Sequence, residues 1–326
     1  MKLLNEFKGK PTKLVVPGII LVLLIALGLL PFFSKPYAII MLGSVIMYVI
    51  LSLCWSMFSG ATGYVSLATA AFFGVGVYTA AIFGEALPLP ILMIMGGLFS
   101  MILAIIIGAI TLRLRGVYFT IFTLGVVKLL EVFLLYLEIH FNGTRGRFVV
   151  SYSFREVFYY LYVLLILVIV AFAFIKRSRF GKALSCIAEG EDAAMHIGIN
   201  ATAIKVLAFA VSSFAVGAAG AAMSTRWSYV DPGIAFNANY SFLPCLMVIF
   251  GGTQNLLGPI IGAAVFAYLQ ELLQTNFPYI YMFSMGIIMI LSILFMPRGI
   301  LGVIHKLVSR FKAGGRRKEA DGNGDS

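Results

Sequence analysis

The sequence predicts an all-α fold, a polytopic membrane helix bundle of about ten spans. Hydrophobic residues make up 61% of the 326 residues and charged residues only 11%, whereas an ordinary soluble domain is about half apolar. Several apolar runs approach the ~20 residues that carry a helix across a bilayer, where backbone polar groups must bond within their own segment. The runs lack the alternation of polar and apolar residues that marks the strands of a membrane barrel.

Ten apolar segments are candidate spans, and glycines interrupt the third, eighth and ninth of them. The first follows a basic N-terminus, as the core of a signal peptide would, but it is long for that role and no small-residue cleavage site follows it. We therefore expect it to be retained as a helix. The ten segments are 14–33, 37–58, 62–83, 91–112, 117–137, 157–175, 204–224, 240–255, 257–277 and 279–296.

The placement of positive charges orients these spans. Of the 24 Lys and Arg residues, one lies within a span, five fall on one side of the membrane, and all the others fall on the side of the N-terminus. Cytoplasmic loops carry such an excess of Lys and Arg, so both termini are expected in the cytoplasm. The net charge of +11 is then a signature of topology and does not indicate nucleic-acid binding. The five outer residues are Lys35, Arg145, Arg147, Arg155 and Arg226.

Five parts follow along the chain. The membrane-spanning parts are expected at 14–175 and 204–296, separated by a cytoplasmic connector at 176–203 that is unusually long and polar for a link between two spans. A short cytoplasmic N-terminus, 1–13, precedes them. A basic tail rich in glycine, 297–326, follows them, and its composition is typical of a solvated segment lying near anionic lipid.

The connector is expected to form two short amphipathic helices divided at Gly190. Glu191 and Asp192 suit the start of the second helix, where acids complement the helix dipole, and Gly198 suits its end. Asn200 or Thr202 is a candidate cap for the span that follows. Such a pair of helices fits either the groove of a partner protein or the membrane surface. Apolar residues fall at helical spacing in both pieces: Leu184, Ile187 and Ala188 in the first, Ala194, Met195 and Ile197 in the second.

Two apolar segments, 60–84 and 250–264, are rich in glycine. Glycine lets helices pack closely, and it lets a helix break where the backbone lines a cavity. The two segments occupy similar places in two halves of five spans, which indicates an internal repeat. Paired broken helices in corresponding halves point to a translocation path, although simple close packing explains the glycines equally well.

Lys128 and Glu131 lie three residues apart inside a predicted span and so share one face of its helix. Charges at membrane depth are costly and usually face a bundle interior or an aqueous cavity. The pair is either a structural ion pair or part of a path or gate. Gln270 and Glu271, near the end of a later span, are interpreted as side chains that reach toward the membrane interface.

No constellation for catalysis or metal binding is evident, and we expect no catalytic residue, metal or cofactor in this chain. The three histidines are scattered, and the three cysteines lack metal-ligand spacing. Gly181 and Lys182 lack the glycine and hydroxyl of a phosphate-binding loop, so any ATP is expected on another polypeptide. A membrane-embedded enzyme is therefore disfavoured.

Five segments that together extend over most of the chain carry a resemblance to a known family. They are GYVSLATAAFFGVGVYTAA (63–81), RLRGVYFTIFTLG (113–125), SRFGKALSCIAEGEDAAMHIGIN (178–200), GGTQNLLGPIIGAA (251–264) and MPRGILG (296–302). In this order they resemble the branched-chain amino-acid ABC transporter permeases, specifically the LivM-type subunit.

The resemblance implies a multi-pass subunit of the bacterial inner membrane that imports branched-chain or related small amino acids. It implies a second, unlike permease subunit in a heterodimer, two cytoplasmic ATPase subunits that bind the ATP, and a periplasmic or lipid-anchored substrate-binding protein. The segment matching 181–198 is the family's coupling loop, which docks on the ATPase. The coupling residues are Gly181, Lys182, Leu184, Ile187, Glu189, Gly190, Glu191, Asp192, Met195 and Gly198.

The candidate translocation path combines both glycine-rich segments with the charged pair. The chain departs from the family at Lys128, where relatives commonly have a glutamate, and in the outer loop at 142–147. The alternatives are a permease of the same family for urea or another small polar solute, and an ATPase-independent secondary transporter that uses Lys128 and Glu131. The path residues are Gly63, Tyr64, Ser66, Gly74, Gly76, Lys128, Glu131, Gly251, Gly252 and Gly258.

Overall fold

The fold is described by a computed structural model over residues 27–28, 30–31, 35–253, 256–281, 283–284, 286–288 and 290. Most of the candidate span 14–33, half of the candidate span 279–296, and all of the expected N-terminus 1–13 and tail 297–326 lie outside these residues. The helices are α1 Pro36–Trp55, α2 Thr69–Phe83, α3 Leu89–Thr111, α4 Val117–Leu137, α5 Phe154–Arg177, α6 Arg179–Glu189, α7 Glu191–His196, α8 Ala201–Met223, α9 Pro232–Ala235, α10 Asn239–Gly251 and α11 Leu257–Asn276. Two short strands, β1 Arg147–Phe148 and β2 Tyr229–Val230, pair antiparallel.

The all-α membrane fold is confirmed, but the count of about ten spans is not. Seven helical segments of the described chain are long and apolar enough to cross a membrane. The candidate at 62–83 is not among them, because its helix, α2, has only 15 residues. The seven are Pro36–Gly60, Leu89–Thr111, Val117–Phe141, Phe154–Arg177, Ala201–Arg226, Pro232–Gly251 and Leu257–Asn276.

Residues 64–68, before α2, form neither helix nor strand, and side chains from other segments satisfy some of their backbone groups. The Leu67 N–H donates to Thr123 Oγ1 at 3.0 Å, and its carbonyl accepts from Ser241 Oγ at 2.6 Å. Trp55 Nε1 donates to the Ser66 carbonyl at 2.8 Å. Non-helical backbone is tolerated at membrane depth only where such partners replace the helical bonds. The glycine-rich segment therefore begins with a true break in the helix.

Helix α8 forms the centre of the bundle and packs tightly on α2 and α3. A methyl group on Gly76 of α2 would overlap the carbonyl oxygen of Gly217 in α8, and one on Gly217 would overlap Gly96 of α3. The three helices thus meet backbone to backbone, which is how small residues drive helix association in membranes. This close packing fixes the position of α8 relative to α2 and α3.

The bundle has two polar ends. We call the end formed by 112–116 and 178–200 the connector end, and the end with β1 and β2 the strand end. Helices α3, α5 and α8 each run between these two ends.

Candidate functional site

The connector folds as two short helices, as predicted, with Gly190 between α6 and α7. Ser178 Oγ accepts from the Gly181 N–H and caps α6, while Gly198 ends the connector helices with a φ of 88°. Asn200 caps α8 by accepting from the Ala203 N–H at 3.1 Å. These local signals behave as helix-capping chemistry requires.

One face of the connector packs against the chain's own core. Leu184 and Ile187 are fully buried, and Ile187 contacts Ala194 and Ala201. The apolar residues of α7 and Ile197, which directly follows the helix, therefore divide: Ala194 is buried, whereas Met195 and Ile197 are 47% and 71% exposed. Of the ten predicted coupling residues, Gly181, Leu184 and Ile187 are buried, Gly190 and Glu191 are partly buried, and Lys182, Glu189, Asp192, Met195 and Gly198 are exposed.

Glu191, the first residue of α7, forms an ion pair with Lys205. We call the network formed by Glu191, Lys205, Tyr64 and the Leu112 carbonyl the clamp. Lys205 Nζ donates to Glu191 Oε1 at 2.6 Å, and the lysine side chain is only 1% exposed. It also donates to the Leu112 carbonyl at 3.1 Å and lies 4.5 Å from the centre of the Tyr64 ring. The Tyr64 hydroxyl donates to the other oxygen of Glu191. The buried ammonium thus has a carboxylate and a carbonyl as acceptors, which offsets the cost of its burial.

The clamp shifts the ionisation of Glu191. Partial burial raises the pKa of this carboxyl, but hydrogen bonds from Lys205 and Tyr64, with the nearby Lys205 charge, outweigh burial and hold the pKa below its ordinary value. Glu191 is therefore a carboxylate at neutral pH, as the ion pair requires.

A second contact joins α7 to the segment between α3 and α4. Arg115 donates to both carboxylate oxygens of Asp192, at 2.8 and 3.2 Å. The Arg115 guanidinium holds the pKa of Asp192 below its ordinary value. Both side chains are exposed, so the pair stabilises the fold only slightly, but its two-pronged geometry fixes the direction of α7.

Together these contacts attach α7 to the connector ends of four segments. Tyr64 precedes α2, Leu112 follows α3, Arg115 precedes α4, and Lys205 lies in the second turn of α8. Hydrogen bonds thus connect α7, directly or through Lys205, to all four. Sequence reasoning had singled out Glu191, Asp192 and Tyr64. It missed Lys205, whose one signal was a lysine within the apolar start of a span.

The predicted charged pair lies on an open face of the bundle. Lys128 Nζ is 2.6 Å from Glu131 Oε2, with the lysine 62% exposed, and α4 is the least buried of the seven candidate spans. Toward the strand end the same face continues with an ion pair of 3.0 Å between Arg145 and Asp231. Charges of both signs thus line one side of the molecule.

The predicted path glycines lie mostly at packing contacts. A methyl group on Gly74 would overlap the Phe236 ring, and methyl groups on Gly251 and Gly258 would overlap backbone across the turn between α10 and α11. Gly63 and Gly252 adopt positive φ, 76° and 102°, at the two breaks. Gly76 faces α8, and Ser66 lies in the non-helical stretch before α2. The two glycine-rich segments do not meet the charged pair in one site among the described residues.

The chain is similar to known permeases. A family model described as "Branched-chain amino acid transport system / permease component" matches residues 37–293. The high-affinity branched-chain amino acid transport system permease protein LivM of Salmonella typhimurium is 28% identical over 294 residues, 78% of this chain and 67% of the relative. LivM of Escherichia coli is 26% identical over the same shares. The corresponding permease protein LivH of Escherichia coli is 29% identical over 133 residues, 40% of this chain and 42% of the relative. No solved structure matches the chain.

Proposed function

Because the chain belongs to the family of permease components of branched-chain amino acid transport systems, we propose that it is the membrane subunit of an ATP-driven importer of branched-chain amino acids. The subunit has no catalytic role of its own. ATP is bound by two cytoplasmic ATPase subunits, and their movement reaches the spans through residues 181–198. The clamp is the observation that carries this coupling role.

The exposed side of α7 is the docking surface for the ATPase. Met195 and Ile197 are apolar side chains exposed beside charged residues, and such anchors suit a groove in a partner protein. The buried side, with Leu184, Ile187 and the clamp, transmits the movement. Contact with the partner and transmission to the spans are thus divided between the two sides of the connector.

The open face of α4 packs against the second permease subunit. A lysine that is 62% exposed in mid-span is costly in contact with lipid. A neighbouring subunit, or an aqueous path between the two subunits, removes that cost. Charges of both signs along this face, from Lys128 to Asp231, suit a path for a zwitterion. The translocation path is therefore proposed at the subunit interface, with Lys128 and Glu131 along it.

Membership of this permease family also supports a proposal for the membrane, the orientation and the binding protein. The subunit lies in the bacterial inner membrane with both termini in the cytoplasm, and a periplasmic or lipid-anchored binding protein delivers the amino acid at the strand end. Residues 176–203 form the cytoplasmic connector between the membrane-spanning parts 14–175 and 204–296. Alternating access follows from the different stability of two packings of the spans in the presence and absence of ATP.

Aspartates on the exposed side of α7 test the docking surface. Met195→Asp with Ile197→Asp leaves the clamp intact and places charges in the proposed interface. We expect this variant to lose capture of the ATPase subunits in a pull-down from membranes that contain all partners, and to lose ATP-driven uptake of radiolabelled leucine. Phe148→Asp, which places a charge on an exposed apolar residue at the strand end, is the control for capture. Normal capture and uptake in the double variant would refute the proposal.

A further inference from the structure

The strand end contains a cavity of about 290 Å³ within this one subunit. It lies between α1, the end of α8, the residues around α9, and α11. Its polar lining includes Ser44, Tyr48, Arg226, Asn237, Gln270 and Glu271. The volume is near the lower end of the range for small-molecule sites, which suits a ligand of amino-acid size.

The cavity carries one fixed charge of each sign. Arg226 Nη2 is 3.5 Å from Glu271 Oε1, and the side chains are 34% and 14% exposed. Arg226 also donates to Ser44 Oγ through its other terminal nitrogen. At 3.5 Å the two charges attract each other but do not form the short bond of a saturated pair, for which 2.7–2.9 Å is usual. Both groups therefore keep capacity for a charged ligand.

Gln270 supplies a polar atom that the protein leaves unsatisfied. Its Nε2 lies 3.3 Å from the Tyr48 hydroxyl, while its Oε1 is buried and has no hydrogen-bond partner among the described residues. Turning the amide over exchanges the two atoms but leaves one end unpaired. Buried polar atoms without partners are rare and disfavoured in folded proteins. A donor on a bound ligand would satisfy this one.

We propose that this cavity binds the α-carboxylate and α-ammonium groups of a small amino acid. The carboxylate accepts from Arg226, and the ammonium donates to Glu271 and to the free acceptor of Gln270. A neutral site with separated charges of both signs recognises a zwitterion and discriminates against a simple anion or cation, because either ion leaves one fixed charge unpaired. The site is distinct from the proposed path at the α4 face. The choice of amino acid rests on the proposed function.

The position of Arg226 joins this site to the clamp. Lys205 and Arg226 lie near the two ends of one buried helical segment, Ala201–Arg226. Twenty-one residues of helix span roughly 30 Å. Tight packing of α8 on α2 and α3 makes it a rigid connection, so a shift of the clamp reaches the side of the cavity on which Arg226 lies.

Binding of tritiated L-leucine to the complete, nucleotide-free complex in lipid nanodiscs, without the binding protein, tests the site. We expect saturable binding that is weakened about 10- to 100-fold in Arg226→Gln and in Glu271→Gln, as loss of a charged hydrogen bond predicts. Arg155→Gln, at an exposed position of the same end, is the control and is expected to bind as the native complex does.

Competition on the native complex keeps the test independent of folding. Leucinamide lacks the carboxylate and 4-methylpentanoate lacks the ammonium, so both are expected to compete at least 10-fold more weakly than leucine. Equal competition by either compound, native affinity in both variants, or absence of leucine binding to a complex that transports leucine would each overturn the site. Failure of the native complex to couple ATP hydrolysis to leucine uptake would instead overturn the proposed function.

Discussion

The two ends of α8 carry polar clusters that are built differently. At the connector end, Lys205 and Glu191 are 2.6 Å apart and share further bonds with Leu112 and Tyr64. At the strand end, Arg226 and Glu271 are 3.5 Å apart and lie beside a buried amide oxygen without a partner in the described chain. A saturated cluster suits a mechanical joint, whereas an unsaturated one suits a ligand.

The largest expected effect is the cost of breaking the clamp. Glu191→Gln leaves the Lys205 charge buried without a carboxylate, which lowers the free energy of unfolding by about 3–5 kcal/mol. Glu191→Gln with Lys205→Met removes both charges and is expected to regain most of that loss. Glu271→Gln at the strand end should lower the free energy of unfolding much less, because Arg226 still donates to Ser44 and is partly exposed to solvent. Thermal unfolding of the purified protein measures the stability of all three variants. Equal losses of stability in Glu191→Gln and Glu271→Gln would contradict the distinction between a saturated and an unsaturated cluster.

Crowding the helix that joins the two ends should affect both. A methyl group added by Gly217→Ala would overlap Ser100 and the Gly96 backbone, and such overpacking costs about 1–3 kcal/mol. We expect leucine binding at the strand end and ATP-driven uptake to fall together in this variant. Gly43→Ala, where an added methyl group meets no atom within 4 Å, is the matched control. Loss of uptake with native binding would show that the two ends are not rigidly joined.

Lowering the pH should weaken the clamp only in acid solution, well below neutral pH. The folded-state pKa of Glu191 is lowered, so its contribution to stability is fully present above the unfolded pKa, about 4, and is lost as the pH falls through the lower folded value. The stability difference between the native protein and Glu191→Gln should therefore be the same at pH 8 and pH 6 and shrink below about pH 4. Unfolding midpoints across this range measure it. A change between pH 8 and pH 6 would be inconsistent with the lowered pKa.

The smallest effect is expected from the exposed pair above the clamp. Arg115→Gln removes a salt bridge whose partners are both exposed, so it should lower the free energy of unfolding only slightly. Leucine uptake should nevertheless fall slightly, because α7 loses its fixed direction. Lys182→Gln, which removes an exposed charge from α6, provides the comparison. A stability loss as large as that of Glu191→Gln would refute the distinction between buried and exposed contacts.

Local features of the connector were predictable from sequence, because glycine and capping residues act on their neighbours. Gly190, Gly198 and Asn200 behave as predicted. The glycines of segment 60–84 predict that a helix can break there, but they do not predict which residues before α2 are non-helical. Thr123 and Ser241, which satisfy its backbone, lie 56 and 174 residues away along the chain, and no local pattern indicates such partners.

The partners within the two polar clusters could not be predicted from local sequence either. Glu191 and Asp192 were recognised as the acidic start of a helix, but the pairing of Glu191 with Lys205 depends on how α7 folds back on α8. Gln270 and Glu271 were interpreted as interface-seeking side chains, whereas in the structure they line a cavity opposite Arg226. A helix pattern gives the depth of a residue in the membrane. It does not give the neighbour that the residue faces.

The central claim is that the clamp transmits the work of ATP hydrolysis to the spans. It is tested most directly by the number of leucine molecules taken up per ATP hydrolysed, measured with the complete complex in liposomes. For Glu191→Gln with Lys205→Met, we predict captured ATPase subunits and continued ATP hydrolysis, with uptake per ATP reduced at least 10-fold. An unchanged ratio would contradict the claim.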